Sequence, residues 1–248
     1  MKAICLLLFL ALFTSCDYIA NLDKTGQQDT IPVSLEPFNA INLQAPCRVE
    51  LTNGLSSDET RLHGIDFIID GYQLTVENGT LTIGHQQSSI LQKEKIGTLT
   101  LPASLIQNIT LNAPGIICSP SPITVTQLHI VVNGSGIYSE TDLKLNCNTF
   151  QLAVYGGINQ SMHHLEGTVK QANYYLEGCT GLDASKLITQ ETNITHRSNA
   201  NCYLHCQAQL NAVIYSTGSV YYSGSPQVSI DVRETTLMKA SGVVTRSN

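Results

Sequence analysis

The chain has 248 residues, enough for one long β domain or for one large and one small, with a full core, and carries 13 basic and 19 acidic side chains for a formal charge of −6. That balance argues against nucleic acid as a partner, because a phosphate-binding surface needs clustered Lys and Arg. Only 13% of residues are charged, 42% are apolar, and eighteen glycines occur with many Thr, Asn and Ser, so short strands broken by turns are expected rather than helices.

Residues 1–15 differ from the rest. Lys2 precedes a ten-residue apolar run over 4–13, and Thr14-Ser15-Cys16 follows with small residues. Ten residues are too few to cross a bilayer as a helix and suit the core of a signal peptide. Phe13-Thr14-Ser15-Cys16 resembles the lipobox of bacterial lipoproteins, although Phe stands where Leu is usual. The resemblance implies that Cys16 becomes the first mature residue and carries a lipid, palmitate included, that holds the protein on a membrane. Asp17 resembles the inner-membrane retention signal of some enteric bacteria, and inner versus outer membrane stays open. Residues 16–36 are polar and read as a tether.

Loss of residues 1–15 removes Lys2 and no acid, which takes the charge to −7. Beyond Cys5 and Cys16 six cysteines remain: Cys47, Cys118, Cys147, Cys179, Cys202 and Cys206. An even number in an exported chain permits disulfides, with the pairing open. No CxxC occurs, so zinc-ribbon and redox readings are weak.

Residues 37–106 read as an N-terminal β region. Phe38, Ile41, Leu43, Val49 and Leu51 alternate toward an Asn53-Gly54 turn. Asn78-Gly79 then sits midway between Val76 and Leu81 and between Leu74 and Ile83. This predicts a hairpin with a two-residue type I′ loop, both of whose residues need positive φ. A polar loop over 86–94 leads to Leu99 and Leu101.

Residues 107–248 repeat. Seven segments share an apolar–x–apolar–x–apolar–x–small pattern, offset by 21, 22, 22, 20, 18 and 18 residues. Their first positions are Gln107, Leu128, Phe150, Ala172, Thr192, Leu210 and Val228. The third are Ile109, Ile130, Leu152, Tyr174, Ile194, Ala212 and Ile230. The fifth are Leu111, Val132, Val154, Leu176, His196, Ile214 and Val232. A period of two recurring every twenty or so residues describes a coil whose equivalent strands stack about 4.8 Å apart, with positions one, three and five inward. An antiparallel sandwich predicts no such register. The seventh position, Gly134, Gly156, Gly178, Ser198 or Ser216 in the middle units, turns the corner.

The outward columns are polar. The second reads Asn108, His129, Gln151, Asn173, Asn193, Asn211 and Ser229, where stacked amides can hydrogen-bond along the coil. The fourth and sixth carry Tyr175 and then Tyr155, Glu177, Arg197, Tyr215 and Arg233. Tyr155, Tyr175, Tyr215, Glu177 and Arg197 form the candidate binding face for sugar or protein. Ordinary cross-strand packing, with Glu177 and Arg197 as a surface pair, is the alternative.

Asn133-Gly-Ser-Gly-Ile137, Tyr155-Gly-Gly-Ile158 and Ser216-Thr-Gly-Ser-Val220 resemble the Ser-Gly-Ala-Gly corners of the head GIN domain family of putative auto-transporter adhesins. Phe38-Asn-Ala-Ile-Asn-Leu43 resembles its opening strand, Leu182-Asp-Ala-Ser-Lys-Leu187 an internal coil, and Val220-Tyr-Tyr-Ser-Gly-Ser-Pro226 its closing element. The resemblance spans about residues 38–245 and departs at Arg197-Ser-Asn-Ala200 and Arg233-Glu-Thr-Thr236, where the glycines are lost. It implies an all-β, right-handed parallel β-helix-like fold in cell-envelope proteins, often lipoproteins, without established activity.

Catalytic and metal motifs are missing from the sequence. No repeat-equivalent acids on adjacent coils form a glycosidase-like pair, and no nucleophile elbow or phosphate loop occurs. His163-His164 and Cys202-x-x-x-Cys206 with His205 fit no common metal site, and His196 falls in an inward column, where a satisfied buried His is expected. The expectation is a non-enzymatic, adhesin-like envelope lipoprotein without cofactor. A structural or envelope-stress scaffold and a carbohydrate-active β-helix enzyme are the alternatives.

Overall fold

The computed structural model describes residues 26–86, 96–234 and 239–247; the signal segment and Cys16 lie outside them. From residue 107 the chain winds a β-solenoid of about six turns. The seven segments all stack as expected, and seven stacked segments delimit six turns of chain.

From residue 123 onward the coils are built from long bent strands: β10 (Ile123–Val132), β11 (Glu140–Val154), β12 (Met162–Gly178), β13 (Gly181–Ser198) and β14 (Cys202–Ile214). β11 pairs in parallel with β12 over 140–147 and again over 149–154, so each coil has two arms joined at a bend. On the second arm the ladder runs in unbroken register through Ile109, Ile130, Leu152, Tyr174, Ile194, Ala212 and Ile230. The side-chain period of two makes this register stringent: a slip by one residue would turn every apolar column to water.

The same columns continue in the N-terminal region, but out of sequence order. β2 (Ala40–Leu43) and β3 (Cys47–Thr52) form one turn; β6 (Thr80–His85) and β7 (Thr98–Pro102) form another; β8 (Asn108–Leu111) and β9 (Gly115–Cys118) form the next. The turn of β2 and β3 lies between the other two, pairing with β6 and β8 on one arm and with β7 and β9 on the other. Leu81 and Ile41 therefore precede Ile109 in the third column, and Ile83 and Leu43 precede Leu111 in the fifth.

Antiparallel strands close this end. β5 (Tyr72–Glu77) pairs with β6 through the expected Leu74–Ile83 and Val76–Leu81 pairs. Asn78 and Gly79 at its turn have φ of 50° and 74°, as a type I′ loop requires. β4 (Arg61–Ile65) covers β7, and β1 (Gln28–Pro32) covers β4, so the second half of the polar 16–36 stretch forms an edge strand on the body. A single helical turn, α1 (Asp66–Ile69), follows β4.

The core is one continuous column from Phe38 to Val220. Phe150 and Tyr174 meet edge-on with centroids 6.3 Å apart. The corner after β12 uses Gly178 at φ +72°, where a Cβ would strike the backbone of Asn159 and Gly156. Asn159 is buried there, its side-chain amide donating to the carbonyls of Asn133 and Tyr155, which ties its own corner to the one before it.

The last coil is β15 (Val220–Ser223) and β16 (Gln227–Val232), with β17 (Val244–Arg246) added to β15.

All six described cysteines are free thiols, so none of the permitted disulfides is present among them. Burial pushes the Cys47 thiol up to about 12, its hydrogen bonding to neighbours opposing this only in part. Cys47 is thus an inert member of the core.

Candidate functional site

The second-arm strands present two kinds of outward ladder. The first is amide. Asn193 donates to Asn173 at 2.9 Å and Asn211 to Asn193 at 2.8 Å, as the second column led one to expect. A companion ladder joins Asn112 to Asn42 at 2.9 Å and Asn133 to Asn112 at 2.7 Å. Asn108, His129 and Gln151 share the second column but make no such link among the described residues.

The second ladder contains all five candidate residues of the binding face. Parallel stacking at a fixed register brings fourth- and sixth-position side chains of adjacent coils together. Tyr155 and Tyr175 lie with ring centroids 5.1 Å apart. The Tyr175 hydroxyl donates to Glu177 at 2.6 Å, and the other Glu177 oxygen accepts the Gly156 backbone N–H at 2.9 Å. Arg197 lies 3.4 Å from Glu177, and its guanidinium sits 4.7 Å from the centre of the Tyr215 ring. Two residues outside the original five extend the chain of contacts: Arg233 donates to the Tyr215 hydroxyl at 3.3 Å and pairs with Asp231 at 2.6 Å. Five successive repeats are linked in this way.

Burial, reinforced by the hydrogen bond to Glu177, pushes the Tyr175 phenol up to about 12, so at neutral pH it is a donor and never a phenolate. Tyr155 leaves 43% of its surface open to solvent. Aromatic faces alternate with fixed donors and acceptors, and no side chain of the ladder is activated as a nucleophile.

The first arm carries an outward column that escaped the sequence reading. Glu50, Cys118, Asp142, His164, Asp183, Tyr203 and Tyr221 occupy successive rungs. Tyr203 and Tyr221 stack at 5.3 Å with planes 15° apart. Bulges between His164 and Glu166 and between Ala184 and Ile188 break the even spacing that would have made this column visible. No group of three His, Cys, Asp or Glu among the described residues is arranged to hold a metal ion.

The histidines divide by face. His164 is exposed, whereas its neighbour His163 is fully buried and bonded to Thr141 at 2.9 Å and Ser161 at 3.1 Å. His196 is buried in the fifth column between Leu176 and Ile214, as expected. Contrary to expectation it is not satisfied: neither ring nitrogen has a well-formed hydrogen bond, and the Ala200 backbone opposes the effect of burial only weakly.

A shallow trough of about 550 Å³ runs along the bend, floored by Val125, Cys147 and Val169 and rimmed by Asn146, Asn148 and Lys170. Among the described residues no helix is long and apolar enough to cross a membrane.

The profile of the family described as putative auto-transporter adhesin, head GIN domain, matches residues 37–226. Among solved structures, a putative adhesin from Bacteroides fragilis has a TM-score of 0.71 at 19% identity, covering 90% of this chain and 98% of its own. A putative lipid binding protein from Parabacteroides distasonis has a TM-score of 0.63 at 14% identity, and a putative adhesin from the same species 0.62 at 15%; both alignments cover 90% of this chain and 98% of the other. At these identities the likeness concerns the fold. No curated protein matches the chain.

Proposed function

The chain belongs to the head GIN domain family of putative auto-transporter adhesins, and we propose that it is a non-catalytic binding protein of the bacterial cell envelope, held to a membrane by a lipid on Cys16. Its recognition face is the second-arm ladder of Tyr155, Tyr175, Glu177, Arg197 and Tyr215, extended by Asp231 and Arg233, and its ligand is a glycan or an extended protein segment. The observation that carries this reading is the continuity of the ladder across five repeats with its side chains already fixed by one another. A pre-ordered row of aromatic and charged groups loses little conformational entropy when a ligand settles on it. Tyr rings offer sugar C–H faces and protein side chains a broad contact, with hydroxyls at the rim.

The test is a glycan array and a panel of envelope proteins probed with the full chain and with the Tyr155→Ala/Tyr175→Ala/Tyr215→Ala variant. Binding lost in a variant whose circular dichroism is unchanged supports the reading; undiminished binding contradicts it. A scaffold role is the second reading, supported by the same mutual bonding, and it predicts no ligand for either chain. Mass spectrometry of the mature N terminus tests the anchor: an acylated Cys16 is expected, and an unmodified terminus at another residue would overturn it.

A further inference from the structure

We propose that the C-terminal end of the solenoid is a self-association surface, on which a second copy of this chain docks end to end about a two-fold axis. The columns carry the inference. In the third column, Leu81, Ile41, Ile109, Ile130, Leu152, Tyr174, Ile194 and Ala212 are at most 4% exposed, yet Ile230 is 50% exposed. In the fifth, Ile214 is fully buried and Val232 is 52% exposed. Val243, whose carbonyl accepts the Val220 N–H at the start of the first arm, is 54% exposed, and Val228 and Val244 are half-buried. These are core residues by sequence that no further coil covers among the described residues. β16 also lacks the Lys, Pro or bulge with which exposed edge strands are usually blunted.

The shape of the end selects the occupant. β14 pairs with β15 through 202–205 and with β16 through 209–214, so the terminal coil is a V whose first arm runs toward the bend and whose second arm runs away. The end is stepped: β17 extends the first arm by one strand, whereas no described strand follows β16. A two-fold axis along the bisector of the V exchanges the arms. It sets the projecting β17 of each copy, antiparallel, on the bare β16 of the other. The facing parity agrees, because Val244 lies in line with buried Val220 and Ile230 with buried Ala212, so Val244 of one copy comes over Ile230 of the other. The one charge on β16 is Asp231 and the one on β17 is Arg246, so no like charges meet. The opposite end is already covered by β4 and β5. An isologous contact at this end uses the same surface on both copies and therefore closes at two.

The experiment uses the full chain in nonionic detergent with Ile230→p-benzoylphenylalanine as a photocrosslinker. Irradiation is expected to give an adduct of twice the chain mass whose crosslinked peptide maps to residues 242–246 of the second copy. Adding Val244→Lys should lower its yield by at least about tenfold, since each copy would then bring a charge into an apolar contact. Crosslinks confined to one chain, adducts mapping elsewhere, or a yield indifferent to Val244→Lys would overturn the proposal. Both positions are solvent-accessible in the single chain, and unchanged circular dichroism checks that the fold survives.

Discussion

The two ends of the solenoid are built from the same repeat and finished differently. At the N-terminal end, β5 and β4 run antiparallel across β6 and β7, and Leu81, Ile83, Leu99 and Leu101 behind them are fully buried. At the C-terminal end Ile230 and Val232 occupy equivalent inward positions and stay half open. A repeat of this kind has no core of its own; its inward residues become core only when a neighbour stacks on them. The difference between ends and interior is therefore one of coverage, and it can be broken in several places.

The largest expected effect comes from acid, because the array interior hides two neutral histidines. Burial lowers His163 to about 3 and His196 to about 4 from an ordinary 6.5. With folded values depressed, the unfolded chain takes up protons first, so stability is full above about pH 6.5 and falls as the pH drops toward 4. Each histidine should remove on the order of 3 kcal/mol by pH 4, measurable as urea midpoints against pH. A flat profile would contradict the buried assignments.

Truncation in the interior comes next. Leu152→Ala should cost about 3 kcal/mol in urea unfolding, whereas Ile230→Ala in dilute solution should cost less than about 1 kcal/mol although both stand in the same column. Equal losses would mean that the end is covered. His196→Leu should stabilise the chain at neutral pH by about 1–2 kcal/mol, because it replaces two unpartnered buried nitrogens with hydrocarbon. Loss of stability in that variant would show that the imidazole has a bonded partner. Asn193→Ala, which breaks both links of its amide ladder, should cost about 1 kcal/mol, and a double-mutant cycle with Asn211→Ala should reveal their coupling.

Much of the array was legible because two periods coincide. The alternation of Phe150, Leu152 and Val154 marks a half-buried strand, and its recurrence 22 residues later at Ala172, Tyr174 and Leu176 sets the stacking register. The same register placed Tyr155, Glu177, Arg197, Tyr215 and Arg233 in one outward column, and rung spacing brings Glu177 to Arg197, Arg197 to Tyr215 and Tyr215 to Arg233, whereas Tyr155 meets Tyr175 of the fourth position. The position of the β2–β3 turn was not legible. Its strands alternate like any others, and nothing local in Ile41 or Leu43 says that β6, forty residues later, stacks on one side and β8 on the other. The first-arm column through Asp142, His164 and Asp183 was hidden by bulges that shift the count between coils. The unsatisfied state of His196 depends on which groups line its site, and column position carries no information about that.

Residue-resolved amide hydrogen exchange on the dilute chain tests the contrast between covered and uncovered coils most directly. β6 and β7, though they belong to a terminal coil, should exchange as slowly as β11 and β12, because antiparallel strands cover them. β16 should exchange faster by about two orders of magnitude or more. Exchange in β16 as slow as in β12, or exchange in β6 and β7 as fast as in β16, would contradict the account.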